Sequence, residues 1–211
     1  MSSDIAPIRI LSVDDHPLVR QGIVGLVAVQ PDMGVVAEAS NGREAIQQFR
    51  AHRPDITLMD LQMPEMSGLD ALIAIRGEFP EARIIVLTTY RGDVQVLRAL
   101  KAGARGYLLK DTLHRELLET IRAVHAGKKS VSAEVSFQLA EHATDDALTP
   151  AEIRVLRLIA AGHANKEIAA QLTLSEETVK GQVRNILSKL DAKDRTHAVT
   201  IGLKRGIIDL E

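Results

Sequence analysis

From Ile8 to about Ala126 the chain alternates short apolar runs with amphipathic stretches, and this alternation restricts its fold more than any other feature. The apolar runs are "IRILSV", "GVVAEA", "DITLMD", "RIIVLT" and "GYLLK". They are followed in turn by "PLVRQGIVGLVAV", "GREAIQQFRAH", "SGLDALIAIRGE", "GDVQVLRALKAG" and "LHRELLETIRAVHAG". Five strands, each leading into a helix, are what the pattern predicts. Parallel strands require crossovers, and right-handed crossovers place helices on both faces of the sheet. The expected fold is α/β, a doubly wound five-stranded parallel sheet. Ligands of such sheets sit outside the carboxyl ends of the strands, where strand order reverses.

After Lys128 the pattern changes. Residues 128–146 are rich in Ser, Ala, Asp and Glu without a sustained period and read as a linker, with a short helix expected in "SAEVSFQLAEH". Beyond it strand signals vanish. "LTPAEIRVLRLIAAG", "ANKEIAAQL", "SEETVKGQVRNILSKL" and "RTHAVTIGLKRG" are helical by spacing, with Thr149-Pro150, Ser175 and Asp194 as starts and Gly162 and Gly206 as stops. The expected organisation is an α/β domain over 1–127, a linker over 128–146 and an all-α, four-helix domain over 147–211. The last has about 65 residues, near the lower limit for independent folding.

The absence of cysteine among 211 residues excludes disulfides and thiolate metal sites. No charged start leads into an apolar signal core, and no apolar run reaches the roughly 18 residues of a membrane span, so a cytoplasmic protein without a membrane partner is expected. The net charge of -2 hides a gradient. Thr178 to Arg205 carries seven basic residues against two acidic ones, a concentration that suits a nucleic-acid partner.

At the strand ends stand Asp14-Asp15, Asp60, Thr88 and Lys110. Three acids, a hydroxyl and an amine would meet at one edge of the sheet. Clustered carboxylates repel one another unless a hard cation shares them, and Mg²⁺ takes oxygen ligands while keeping water positions for a phosphate. An Asp beside such a cation can attack a phosphoryl group. Asp60 is therefore the candidate phosphoacceptor, with Lys110 paired to a phosphoryl oxygen and Thr88 hydrogen-bonded to another.

"SVDDHPLVRQG", "DITLMDLQMPEMSGLDAL", "IIVLTTY" and "AGARGYLLKD" resemble the receiver domain of two-component response regulators, a flavodoxin-like fold. The resemblance implies that Asp15 and Asp60 ligate Mg²⁺ directly, that the backbone carbonyl of Gln62 is a further ligand, and that Asp14 acts through water. It implies that Gln62 and Tyr90 tune phosphate lifetime, and that Tyr107 is the aromatic that follows the switch hydroxyl of Thr88. Lys110-Asp111 departs from the commoner Lys-Pro, so the cis peptide usual there is not expected; a non-proline cis bond costs about 3 kcal/mol.

In "SEETVKGQVRNILSKL", Val179, Val183, Ile186, Leu187 and Leu190 form one apolar stripe. The other face carries Glu177, Gly181, Arg184, Asn185 and Ser188. With "NKEIAAQL" before it and the "TLS" turn between, this is a helix-turn-helix whose second helix suits a major groove. Lys180 and Arg184 can reach guanine edges or phosphates and Asn185 can read adenine, with Gln182 off to one side. Lys166 and Thr178 complete the DNA-binding candidates. Gly181, costly mid-helix by up to about 1 kcal/mol, suits a close approach to the backbone. The helical region resembles the LuxR-type domain, and the order of parts is similar to that of the NarL/FixJ family, although family members more often have a bulkier residue at Gly181 and His at Gln182. That resemblance implies dimerisation through Ala198, Val199, Ile201 and Leu203, with core packing as the alternative role.

The expected function is a transcriptional regulator phosphorylated on Asp60 by a sensor histidine kinase. As a homodimer, formed when phosphorylated or on DNA, it would bind paired half-sites in the major groove of double-stranded DNA. Its only expected chemistry is Mg²⁺-dependent self-phosphorylation and autodephosphorylation at Asp60. Two alternatives stand beside it: a Mg²⁺-dependent phosphatase, and a receiver whose helical domain binds protein. Against the phosphatase, Gln62 stands where such enzymes commonly have a second Asp.

Overall fold

The computed structural model describes residues 6–89, 93–131, 136 and 147–208. Contacts divide the chain into two compact units, the first ending at Ser136 and the second containing the C-terminal helices.

The first unit is a parallel sheet in the order β2-β1-β3-β4-β5-β6. Its strands are β1 (Ile8–Val13), β2 (Met33–Ala39), β3 (Ile56–Asp60), β4 (Ile84–Thr88), β5 (Gly106–Leu109) and β6 (Ser130–Val131). The helices are α1 (Pro17–Ala28), α2 (Gly42–His52), α3 (Gly68–Glu78), α4 (Asp93–Lys101), of which this unit takes the part from Val96 onward, and α5 (Leu113–His125). Every residue of β3, β4 and β5 is buried, as expected for parallel strands covered on both faces. One core gathers Ile10, Leu58, Ile85 and Leu87 under Ile23 and Val27 of α1 and Leu117, Ile121 and Val124 of α5. Arg122 of α5 grips Asp32, just before β2, through two hydrogen bonds of 2.7 and 2.9 Å.

Strand order reverses between β1 and β3. Their register sets Val13 against Met59, so Asp14, directly after β1, and Asp60, the last residue of β3, become neighbours. Across that point α3 starts close to β3. A Cβ on Gly68 would lie 1.7 Å from the Asp60 carbonyl oxygen, so only glycine fits there.

β6 goes beyond the five strands expected and lies inside the segment read as linker. It pairs Ser130 with Gly106 and Val131 with Tyr107, covering the edge of β5. The short helix expected in residues 132–142 lies, apart from Ser136, outside the described residues. Among the described residues no peptide bond is cis, and no helix is long and apolar enough to cross a membrane.

The second unit contains α6 (Pro150–Ala160), α7 (Asn165–Leu172), α8 (Glu176–Lys189) and α9 (Arg195–Lys204). Thr149, Ser175 and Asp194 cap α6, α8 and α9, while Gly162 and Gly206 take φ of 87° and 65° where helices end. Val155, Leu156, Ile168, Val179, Ile186, Ala198 and Ile208 share one core. Glu152 closes a capping box with Thr149 and also accepts from Lys189 Nζ at 2.9 Å, which ties α6 to α8.

Candidate functional sites

Asp14, Asp15, Asp60, Thr88 and Lys110 all stand at the carboxyl ends of the strands, as the sequence predicts. Asp14 and Asp60 are 0% and 3% exposed. Lys110 Nζ bridges them at 2.7 Å from Asp14 Oδ2 and 2.8 Å from Asp60 Oδ2. Burial raises the pKa of the Asp60 carboxyl and outweighs the opposing pull of Lys110. Burial also works against the Lys110 ammonium, but its hydrogen bonds to Asp14 and Asp60 prevail and hold its pKa above the usual lysine value.

The remaining oxygens face backbone donors and a histidine. Asp14 Oδ1 accepts the His16 N–H at 2.9 Å, and Asp60 Oδ1 accepts the Gln62 N–H at 3.3 Å. His16 Nδ1 lies 2.7 Å from Asp15 Oδ1. Asp14, Asp15, His16 and Asp60 each offer one ligand atom, and these atoms lie within 4.8 Å of one another. His16 is absent from the sequence-derived candidates. The signal that could have found it is its place directly after the two acids, in the loop that ends β1.

Thr88 and Tyr107, on adjacent strands, are both buried. Burial pushes the Tyr107 phenol well above its usual range, with Thr88 partly opposing. Gln62 is exposed, and Tyr90 lies outside the described residues.

In the second unit, α7 and α8 are joined through a turn in which Thr173 takes φ of 55°. Thr178, Lys180, Arg184 and Asn185 are exposed on α8, as is Lys166 on α7. Lys180 is held along the helix by Glu176 at 3.3 Å. Within the chain, nothing lies within 4 Å of a Cβ added to Gly181. Gln182 is turned elsewhere: its amide oxygen is buried without a hydrogen-bond partner among the described residues. Its side chain lines a cavity of about 380 Å³ with Arg154, Gln171 and Leu174. Ala198 is turned into the unit's own core, 1% exposed, because α9 packs that face on its neighbours. Val199, Ile201 and Leu203 are half-buried and pack on the same core.

The family model of the response regulator receiver domain matches residues 10–122, and that of the bacterial regulatory proteins of the luxR family matches residues 146–201. The chain belongs to the two-component response regulators of the NarL/FixJ type. This response regulator is 42% identical over 205 residues to the transcriptional regulatory protein YhcZ of Bacillus subtilis, covering 93% of this chain and 95% of YhcZ. It is 37% identical over 206 residues to the response regulator protein VraR of Staphylococcus aureus, covering 95% of this chain and 99% of VraR. Among solved structures, RcsB of Salmonella enterica serovar Typhimurium, bound to promoter P1flhDC in the presence of the phosphomimetic BeF₃⁻, is similar with a TM-score of 0.73. The identity is 28%, over 92% of this chain and 97% of RcsB. The response regulator is thus a transcription regulator with a receiver and a LuxR-type helix-turn-helix DNA-binding domain.

Proposed function

We propose that this response regulator is a cytoplasmic phosphorylation switch: a sensor histidine kinase donates a phosphoryl group to Asp60, and the phosphorylated protein binds paired half-sites in duplex DNA as a homodimer. The observation that carries the first half is the convergence of Asp14, Asp60 and Lys110 at the point where strand order reverses. The second half is supported by the exposed basic face of α8 and by the similarity to RcsB, itself solved on DNA.

The acid cluster fits Mg²⁺. Three carboxylates gather in one cluster, whose ligand atoms, with that of His16, lie within 4.8 Å of one another, and such oxygen donors suit a hard cation. Asp15 and Asp60 would hold the cation directly with the Gln62 carbonyl, and Asp14 would hold it through water. When bound, Mg²⁺ neutralises charge on the incoming phosphoryl oxygens. An Asp60 carboxylate oxygen attacks phosphorus, the bond from phosphorus to the donor breaks, and an acyl phosphate forms. Lys110 then exchanges part of its pairing with the acids for a phosphoryl oxygen. Thr88 would hydrogen-bond another oxygen, and Tyr107, buried on the adjacent strand, would report that move to the sheet edge. Gln62 and Tyr90 would govern access of water and so the phosphate lifetime.

On DNA, Lys180 and Arg184 would contact guanine edges or phosphates and Asn185 adenine, with Lys166 and Thr178 on the backbone and Gly181 permitting close approach. Gln182 fits that role least, since its amide oxygen is buried. Val199, Ile201 and Leu203 are the residues of α9 left for the dimer.

Incubation with acetyl phosphate and Mg²⁺, followed by intact-mass measurement, tests the acceptor. The wild type should gain one phosphoryl group and Asp60→Asn none; equal uptake by the variant would remove Asp60 from the role.

A further inference from the structure

We propose that His16 makes the acid cluster a mixed oxygen and nitrogen site that takes a borderline divalent cation, Zn²⁺ foremost, more tightly than Mg²⁺. The inference rests on the reading of Asp14, Asp15 and Asp60 as a cation site, and adds a ligand to it.

The His16 side chain neither caps a helix nor fills the core, and among the described residues its contacts are with the acids alone. His16 is the N-cap of α1, yet its side chain makes no capping hydrogen bond, and that side chain is 67% exposed, which excludes a core role. Its backbone is nonetheless held firmly. The His16 N–H donates to Asp14 Oδ1 at 2.9 Å, its carbonyl accepts from the N–H groups of Val19 and Arg20 at 3.1 and 3.2 Å, and Pro17 fixes the first turn of α1. The Arg20 guanidinium donates to the Asp14 carbonyl two residues earlier. This frame directs the imidazole back over the acids, with Nδ1 2.7 Å from Asp15 Oδ1 and 3.4 Å from Asp14 Oδ1. The separation from Asp14 is near the roughly 3.3 Å between adjacent ligands of a tetrahedral Zn²⁺ site, and the contact with Asp15 is an ion-pair distance that a shared cation would open slightly.

Lys110 takes one oxygen each from Asp14 and Asp60, on Oδ2. The open side of the cluster therefore presents carboxylate oxygens together with one imidazole. Mg²⁺ favours oxygen and keeps its waters, whereas Zn²⁺ gains from imidazole nitrogen and ranks above the harder cations on N/O sites. His16 would thus set cation preference, and Asp60 would be held by whichever cation the cell supplies.

Isothermal titration calorimetry of the full chain with Zn²⁺ and, separately, Mg²⁺ tests this in the wild type, His16→Asn and Asp60→Asn. Asn suits an N-cap, so the fold should survive. Loss of the ligand should weaken Zn²⁺ by about tenfold or more, and Mg²⁺ by much less. NMR of the wild type should show the His16 ring signals shifting as Zn²⁺ is added. Unchanged Zn²⁺ affinity in His16→Asn would overturn the proposal and leave His16 as a partner of Asp15. Unchanged Zn²⁺ affinity in Asp60→Asn would overturn it too, by placing the ion on other histidines. If the wild type failed to bind Mg²⁺ at all, the underlying cation-site reading would fail, a result distinct from either of these.

Discussion

In the first unit the candidate residues end buried strands, with Asp14 and Asp60 almost wholly enclosed and bridged by Lys110. In the second, Lys166, Thr178, Lys180, Arg184 and Asn185 stand exposed on helices whose opposite faces form the core. The contrast fits the roles proposed for the two sites. A phosphoryl acceptor needs low dielectric and fixed partners, so its charges must be balanced inside the protein and their loss is felt by the fold. A DNA-reading face meets a highly charged polymer, and its own charges cost little to keep in water.

The contrast is broken most severely at Lys110. Lys110→Met leaves two buried carboxylates facing each other and should destabilise the first unit by about 3–5 kcal/mol. Urea unfolding followed by circular dichroism would measure it, and saturating Mg²⁺ should restore part of the loss. A variant as stable as the wild type would mean that the acids are not balanced by Lys110. Truncating the cores tests the difference in unit size. Leu58→Ala and Ile186→Ala should each cost about 2–5 kcal/mol, but only the small helical unit should then lose its fold, seen as loss of amide protection confined to residues 147–208.

Glu152 is the helical unit's nearest counterpart to Asp60. Burial alone would raise its pKa, but the Thr149 N–H and Lys189 reverse this and hold it below the usual glutamate value. The stability from the ionised form is therefore complete above the unfolded value of 4.5 and is lost as pH falls through the lower folded value. Glu152→Gln should lower the melting temperature at pH 7, at a cost of about 1–3 kcal/mol, and should match the wild type in strong acid. The smallest effect is expected at Gly181. Gly181→Ala has room for its methyl and should stabilise α8 by up to about 1 kcal/mol while weakening DNA binding. Unchanged or tighter DNA binding would exclude a close approach at that position.

Much of the first site was legible because a polar residue that ends an apolar run is a local signal: Asp14, Asp60, Thr88 and Lys110 can each be read from a few neighbours. Helix starts at Thr149, Ser175 and Asp194 were legible for the same reason. What was not legible depends on contacts distant in sequence. β6 is two residues long and has no period, and exists because β5 offers an edge. The Glu152 to Lys189 pair spans 37 positions. Helical spacing put Gln182 beside the reading face but could not show its amide turned inward, nor Ala198 claimed by the unit's own core.

The central claim joins the two units functionally, through a phosphoryl group on Asp60 that controls duplex binding by α8. The measurement that tests it most directly is enrichment of random duplex DNA by the full chain, with and without Mg²⁺ and beryllofluoride. Paired short half-sites that strengthen with the phosphoryl mimic, and do so neither in Asp60→Asn nor in the double variant Lys180→Ala, Arg184→Ala, are the predicted result. Absence of enrichment in either state, or enrichment indifferent to the mimic, would contradict it.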